Sequence, residues 1–198
     1  MKHSRPIALG LFLALVGTAA CRDKERLGTT TLTGSPAEQA PSLANPTAPL
    51  TDAQILQVAH VANAGEIAQG KLALEKATDP RVKQLATMMV ADHTDADAKG
   101  AALAAKESLN LADSTPSATV TSDGENILAA LKSKTGADFD RAYVDAQVTE
   151  HKQVLSTLDT LLIPDAKDGQ LQTYVRTIRS AIAEHLIHAQ KLQAELAK

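Results

Sequence analysis

The stretch LQTYVRTIRSAIAEHLIHAQKLQAEL, residues 171–196, decides the fold. Within it Leu171, Val175, Ile178, Ile182, His185, Ala189, Leu192 and Leu196 recur at alternating steps of four and three. That spacing lays them along one face of a helix, the seam by which a bundle helix packs on its neighbours. One member of the seam is a histidine, beside Glu184 and three residues before His188. The pattern predicts a long helix from about Gly169.

Three more helices of this kind precede it. Thr51-Asp52-Ala53-Gln54 reads as a capping box opening a helix to about Ala77, with the stripe Ile55, Ala59, Ala62, Glu66 and Ala73. Asp79-Pro80 reads as an N-cap with proline in the first turn. Its stripe is Val82, Leu85, Met89, His93, Ala96, Gly100 and Leu103. A helix from about Gly136 carries Val144, Gln147, His151, Val154, Leu158 and Leu161, with Pro164 expected just past its end. The connection between the second and third long helices contains Ser122-Asp123-Gly124-Glu125, a second capping box followed by ILAAL, so a short helix is expected there.

Two hairpins with short turns, joined by one longer crossover, predict an all-α fold. The expected architecture is a ferritin-like antiparallel four-helix bundle, with a short helix in the connection between the second and third long helices. Composition agrees. The chain has 198 residues, 44% hydrophobic but only 2% aromatic, with no tryptophan. Its apolar content is mostly alanine and leucine, both good helix formers.

The N-terminus reads as a targeting segment. A basic start, MKHSRP, precedes the apolar run IALGLFLALVG and then TAAC. The run is too short to cross a bilayer, so residues 1–20 are expected to be a signal peptide. Cys21, the single cysteine, follows Thr18, Ala19 and Ala20 and resembles the lipidation site of bacterial lipoproteins, although Thr18 stands where an aliphatic residue is usual. Lipidation of Cys21 is the expectation; ordinary cleavage after Ala20, leaving a free thiol, is the alternative. Residues 22–50 are rich in Thr, Ser, Pro, Gly and Ala without apolar periodicity, and read as a disordered tether ahead of a bundle domain at 51–198. The expected location is the bacterial cell envelope, with a periplasmic domain held to a membrane by its lipid. Arg22 after the cysteine points to the outer membrane, by resemblance to other lipoproteins.

Charge excludes some partners. Net charge is −3; without Lys2 and Arg5 of the signal, 18 basic residues face 23 acidic ones. No basic stripe appears, so no nucleic-acid partner is expected. The bundle also lacks a serine-nucleophile motif, a phosphate loop and any cysteine.

One polar residue interrupts each apolar stripe: Glu66, His93, His151 and His185. Each lies near the middle of its predicted helix. Helices of similar length packed side by side bring their midpoints to one level, so the four should meet in one layer. A buried carboxylate and neutral imidazoles there suit a transition metal such as zinc, iron, copper or manganese. His188 is an optional further ligand, and Asp92, Glu150, Glu184 and Tyr143 are candidates to orient the ligands. The alternative is a metal-free polar layer that sets helix register through its own hydrogen bonds.

Three stretches carry a family resemblance: NAGEIAQGKLALEKATDPRVKQLATMMVADHTDAD, GADFDRAYVDAQVTEHKQVL and RSAIAEHLIHAQKL. Together they resemble the bacterial envelope family known as domain of unknown function 4142, over about residues 51–196. The most specific pieces are Asp92-His93, the FDRAYVDAQVTEH run and the EHLxxA around His185. The resemblance implies a ferritin-like fold and an outer-membrane or secreted location, and no activity. Di-iron proteins of ferritin-like fold use Glu-x-x-His pairs. Here Val148 and His185 stand three residues before His151 and His188, so that carboxylate-rich site is not matched. The expected function is a non-enzymatic binding or structural role in an envelope lipoprotein. A metalloenzyme handling oxygen or peroxide and a metal-free partner-binding module are the alternatives.

Overall fold

The computed structural model describes residues 48–198, so the expected signal peptide, Cys21 and nearly all of the tether lie outside the described residues. The described residues are helical with no strand. The elements are α1 (Asp52–Lys76), α2 (Pro80–Lys106), α3 (Thr115–Lys132), α4 (Gly136–Thr157), a π-helical turn (Leu158–Leu162), α5 (Ile163–Asp165) and α6 (Gly169–Leu196). Helices α1 and α2 form one hairpin and α4 and α6 the other; α2 also packs on α6, and α1 on α4. The expected all-helical bundle is present.

The helix starts follow local chemistry. Thr51 Oγ1 accepts the Gln54 N–H at 3.3 Å while Gln54 Oε1 accepts the Thr51 N–H at 3.0 Å, closing the capping box at α1. Asp79 caps α2, accepting from the Arg81 N–H, and Asp168 caps α6, accepting from Gln170 and Leu171. Gly136 opens α4 at φ +56°, a left-handed conformation that favours glycine.

Three expectations need correction. The connection holds an 18-residue helix, not a short one, and it starts at Ser114 rather than Ser122. Ser114 and Ser117 form the capping box, with Pro116 in the first turn, and Ser122-Asp123-Gly124-Glu125 lies inside the helix. The helix runs through Gly124 because it packs along α1, where Gly124 faces Gly65 at ordinary van der Waals distance. Pro164 does not mark a stop either. The Ile163 N–H bonds to the Leu158 carbonyl, five residues back, and the wider turn carries the helical path through Asp165. That extra residue rotates the stripe, so Leu162 is buried where Leu161 was expected, and Leu161 is exposed. Finally, Leu50 belongs to the packed domain rather than the tether: it is buried, and its N–H donates to Asp165 Oδ2 at 2.7 Å.

Carboxylates pin both ends of the bundle. Buried Asp140 of α4 accepts the Thr78 and Asp79 N–H groups, each at 2.9 Å, together with the Thr78 hydroxyl. It thereby ties the α1–α2 turn to the other hairpin. Asp52 of α1 accepts the Lys167 and Asp168 N–H groups and holds the turn before α6. The apolar core falls into two clusters. One contains Ile55, Val58, Leu158, Leu162, Val175 and Ile182; the other contains Val82, Leu85, Met89, Phe139, Val144 and Leu192. A buried polar layer at mid-bundle stands between them.

Candidate metal centre

Three helices each bring one histidine to that layer: His93 from α2, His151 from α4 and His185 from α6, all buried. Their ring centroids form a nearly equilateral triangle with sides of 5.3, 5.4 and 5.8 Å. One nitrogen from each lies within 4.8 Å of the other two. His151 Nε2 and His185 Nδ1 are 3.4 Å apart.

The outer nitrogen of each ring faces an oxygen. His93 Nδ1 is 2.9 Å from Asn63 Oδ1, His151 Nδ1 is 2.9 Å from the Gln147 carbonyl, and His185 Nε2 is 2.9 Å from Asp92 Oδ2. A carbonyl or an ionised carboxylate only accepts, so in the neutral rings the proton sits on these outer nitrogens. The inner nitrogens, His93 Nε2, His151 Nε2 and His185 Nδ1, are then bare lone pairs. His93 Nε2 is buried without a hydrogen-bond partner. Two facing lone pairs at 3.4 Å repel unless a proton or a cation lies between them.

The environment keeps the rings uncharged. Burial, reinforced by His151 and His185, holds His93 at about 3. Burial pushes His151 down to about 4 against its bond to the Gln147 carbonyl. His185 is also lowered, by burial first, with Asp92 opposing. Neutral imidazole with its far N–H held by an oxygen is the form that ligates a transition metal. Two imidazole nitrogens on one tetrahedral ion at about 2.05 Å would stand about 3.3 Å apart, close to the His151–His185 spacing.

Of the other residues expected at the site, Asp92 meets a histidine and the rest stand apart from the three-nitrogen group. Glu66 shares the layer and is buried, but its Oε1 lies 3.6 Å from His151 Nδ1, on the side of the ring away from the three-nitrogen group. Both of its oxygens lack a hydrogen-bond partner; burial lifts the carboxyl to about 7, with the Gln147 side chain opposing. Glu150, a candidate to orient the ligands, is half-buried and turns to α1 instead. Its Oε1 accepts from Gln69 Nε2 at 3.0 Å, and burial, with Glu66 adding, pushes it up to about 9. Tyr143 is buried, its hydroxyl unpartnered and raised well above the usual range by burial and by Glu66 and Glu150. Asp92 is surface-exposed yet reaches His185, whereas Glu184 and His188 are exposed and outside the three-histidine group. Asn63 was missed by sequence reasoning. Its position three residues before Glu66, on the same helix face, was the available signal.

A cavity of about 60 Å³ opens beside the histidines. All three histidines, Asn63, Glu66 and Asp92 line its polar end, and aliphatic side chains from α1, α4 and α6 form its walls.

The family model described as Domain of unknown function (DUF4142) matches residues 36–192, and the chain belongs to that family. No curated protein and no solved structure matches the chain.

Proposed function

We propose that this member of the DUF4142 family is a cell-envelope lipoprotein whose bundle binds a divalent transition metal through His93, His151 and His185. The observation that carries the reading is the set of three bare imidazole nitrogens converging in the core, each ring oriented by an oxygen on its far side. Three nitrogen donors suit zinc, copper, nickel or iron better than hard, oxygen-seeking ions. Glu66 is a neighbour of the centre rather than one of its donors, and its carboxylate would offset part of the ion's charge in a low-dielectric layer. The role is binding or structural: the metal ties α2, α4 and α6 together at the level where the apolar core is interrupted.

The test is titration of the purified, metal-free protein with zinc, copper, iron and manganese, following stoichiometry and thermal stability. One ion per chain and a raised unfolding temperature are expected, both lost in His93→Ala and His185→Ala. No bound ion and no stabilisation by any of the four would leave the layer as a metal-free register device. The anchor is tested separately. Cys21→Ser should release the protein from membranes, and unchanged membrane association would overturn lipidation.

A further inference from the structure

We propose that the metal held by the three histidines keeps one coordination position open to the adjoining aliphatic cavity, and that this position takes an uncharged diatomic ligand of dioxygen's class. The inference rests on the metal reading above and adds what the centre is built to admit. Three nitrogens are offered to the ion, and the remaining buried donor, Glu66, faces the far side of His151. A fourth position is therefore left to something other than a protein side chain. The cavity meets the histidines at that point, since His93, His151 and His185 all line it, and His93 Nε2 is a buried nitrogen without a partner.

Size and polarity select the guest. About 60 Å³ is well below the roughly 150 Å³ of an apolar cavity that admits benzene, so the space suits a molecule of two or three atoms. Away from the histidine end the walls are aliphatic, with Val58, Ala62, Val154, Leu158 and Ile182 among them. Beyond Thr157, whose hydroxyl already donates to the Gln153 carbonyl, those walls offer no hydrogen-bond donor, so an anion would exchange its hydration shell for the ion alone. An uncharged diatomic loses almost none. Access is short. Val120, Val154 and Thr157 line this cavity and also a solvent groove that includes Pro116, Thr119 and Asp123 of α3. Those three side chains stand between the cavity and the groove, and α3 supplies one of them, Val120.

The probe is carbon monoxide, a diatomic of the same size class whose stretch is read by infrared spectroscopy. The protein is loaded with copper(I), equilibrated with carbon monoxide, and compared with Ala62→Leu, which adds bulk at the cavity wall and changes no metal-donor residue. A bound C–O band is expected in the parent. Affinity for carbon monoxide should drop at least tenfold in Ala62→Leu, with copper affinity changed less than twofold. Val154→Ala serves as a second variant, thinning the wall toward the groove, and should speed carbon monoxide association several-fold. Copper bound without a C–O band overturns the open position while leaving the metal site standing. A band undiminished in Ala62→Leu and an unchanged rate in Val154→Ala overturn the cavity's part in it. Failure to bind copper(I) in a protein that still binds zinc overturns this inference alone, and failure to bind any of the four metals removes the metal reading with it.

Discussion

His151 Nε2 and His185 Nδ1 face each other across 3.4 Å, each ring tied through its other nitrogen to an oxygen, at the Gln147 carbonyl and Asp92 respectively. With each ring's proton on its outer nitrogen, the two inner lone pairs face each other, and a proton or a cation between them relieves that contact. The consequences reach into stability, pH response and metal affinity.

The pH profile of the metal-free protein should show a maximum. The histidines, at about 3 and 4 for His93 and His151 and lowered for His185, sit below their ordinary 6.5. In the unfolded chain they protonate first, so stability falls as pH drops from 6.5 toward 4. Glu66 at about 7 and Glu150 at about 9 sit above their ordinary 4.5. The folded state holds those protons longer, so stability also falls as pH rises from 4.5 through 7 to 9. The two limbs place the maximum near about pH 6. Denaturant unfolding between pH 4 and pH 9.5 checks this, and Glu150→Gln should flatten the alkaline limb while leaving the acid one.

Metal affinity should depend on the oxygens behind the rings. Asn63→Leu strands the His93 Nδ1–H and should weaken metal binding about 10- to 100-fold, and Asp92→Ala about tenfold. His188→Ala, on the exposed face, should change nothing. Isothermal titration with zinc distinguishes the three, and equal losses in all of them would argue that affinity lies elsewhere.

Asp140→Ala should be among the most costly single changes outside the centre. It removes one acceptor from two backbone N–H groups and a hydroxyl at a buried turn. Hydrogen bonds to a charged acceptor contribute about 1.5–3 kcal/mol each, and they are not additive within one network. A loss of about 3–4 kcal/mol in urea unfolding is expected.

Close helix approach gives a paired glycine test. A Cβ at Gly70 would stand 2.7 Å from Val90 Cγ2, the tip of a β-branched side chain with little rotamer freedom. Gly70→Ala should destabilise by about 1–2 kcal/mol despite its better helix propensity. At Gly65 the nearest atom is 4.0 Å away, an ordinary contact, so Gly65→Ala should be neutral or stabilising by up to about 1 kcal/mol. Thermal melts of the two variants should move apart.

Legible from local pattern were the class of fold, the starts of α1, α2 and α6, and the meeting of His93, His151 and His185. Those features depend on local periodicity, on caps within four residues, and on helices of like length sharing a midpoint. Tertiary structure alone decided the rest. Whether Glu66 points at the inner or outer side of His151 is a matter of side-chain direction across an interface, which spacing along one helix does not encode. The burial of Glu150 depends on Gln69 of α1 being there to receive it, and the exposure of Leu161 on the π-helical turn that rotates the end of the α4 stripe. Helix α3 begins where Ser114 can cap it and continues through Gly124 because its face packs along α1. Its length, and with it the wall over the cavity, is therefore fixed by packing rather than by propensity.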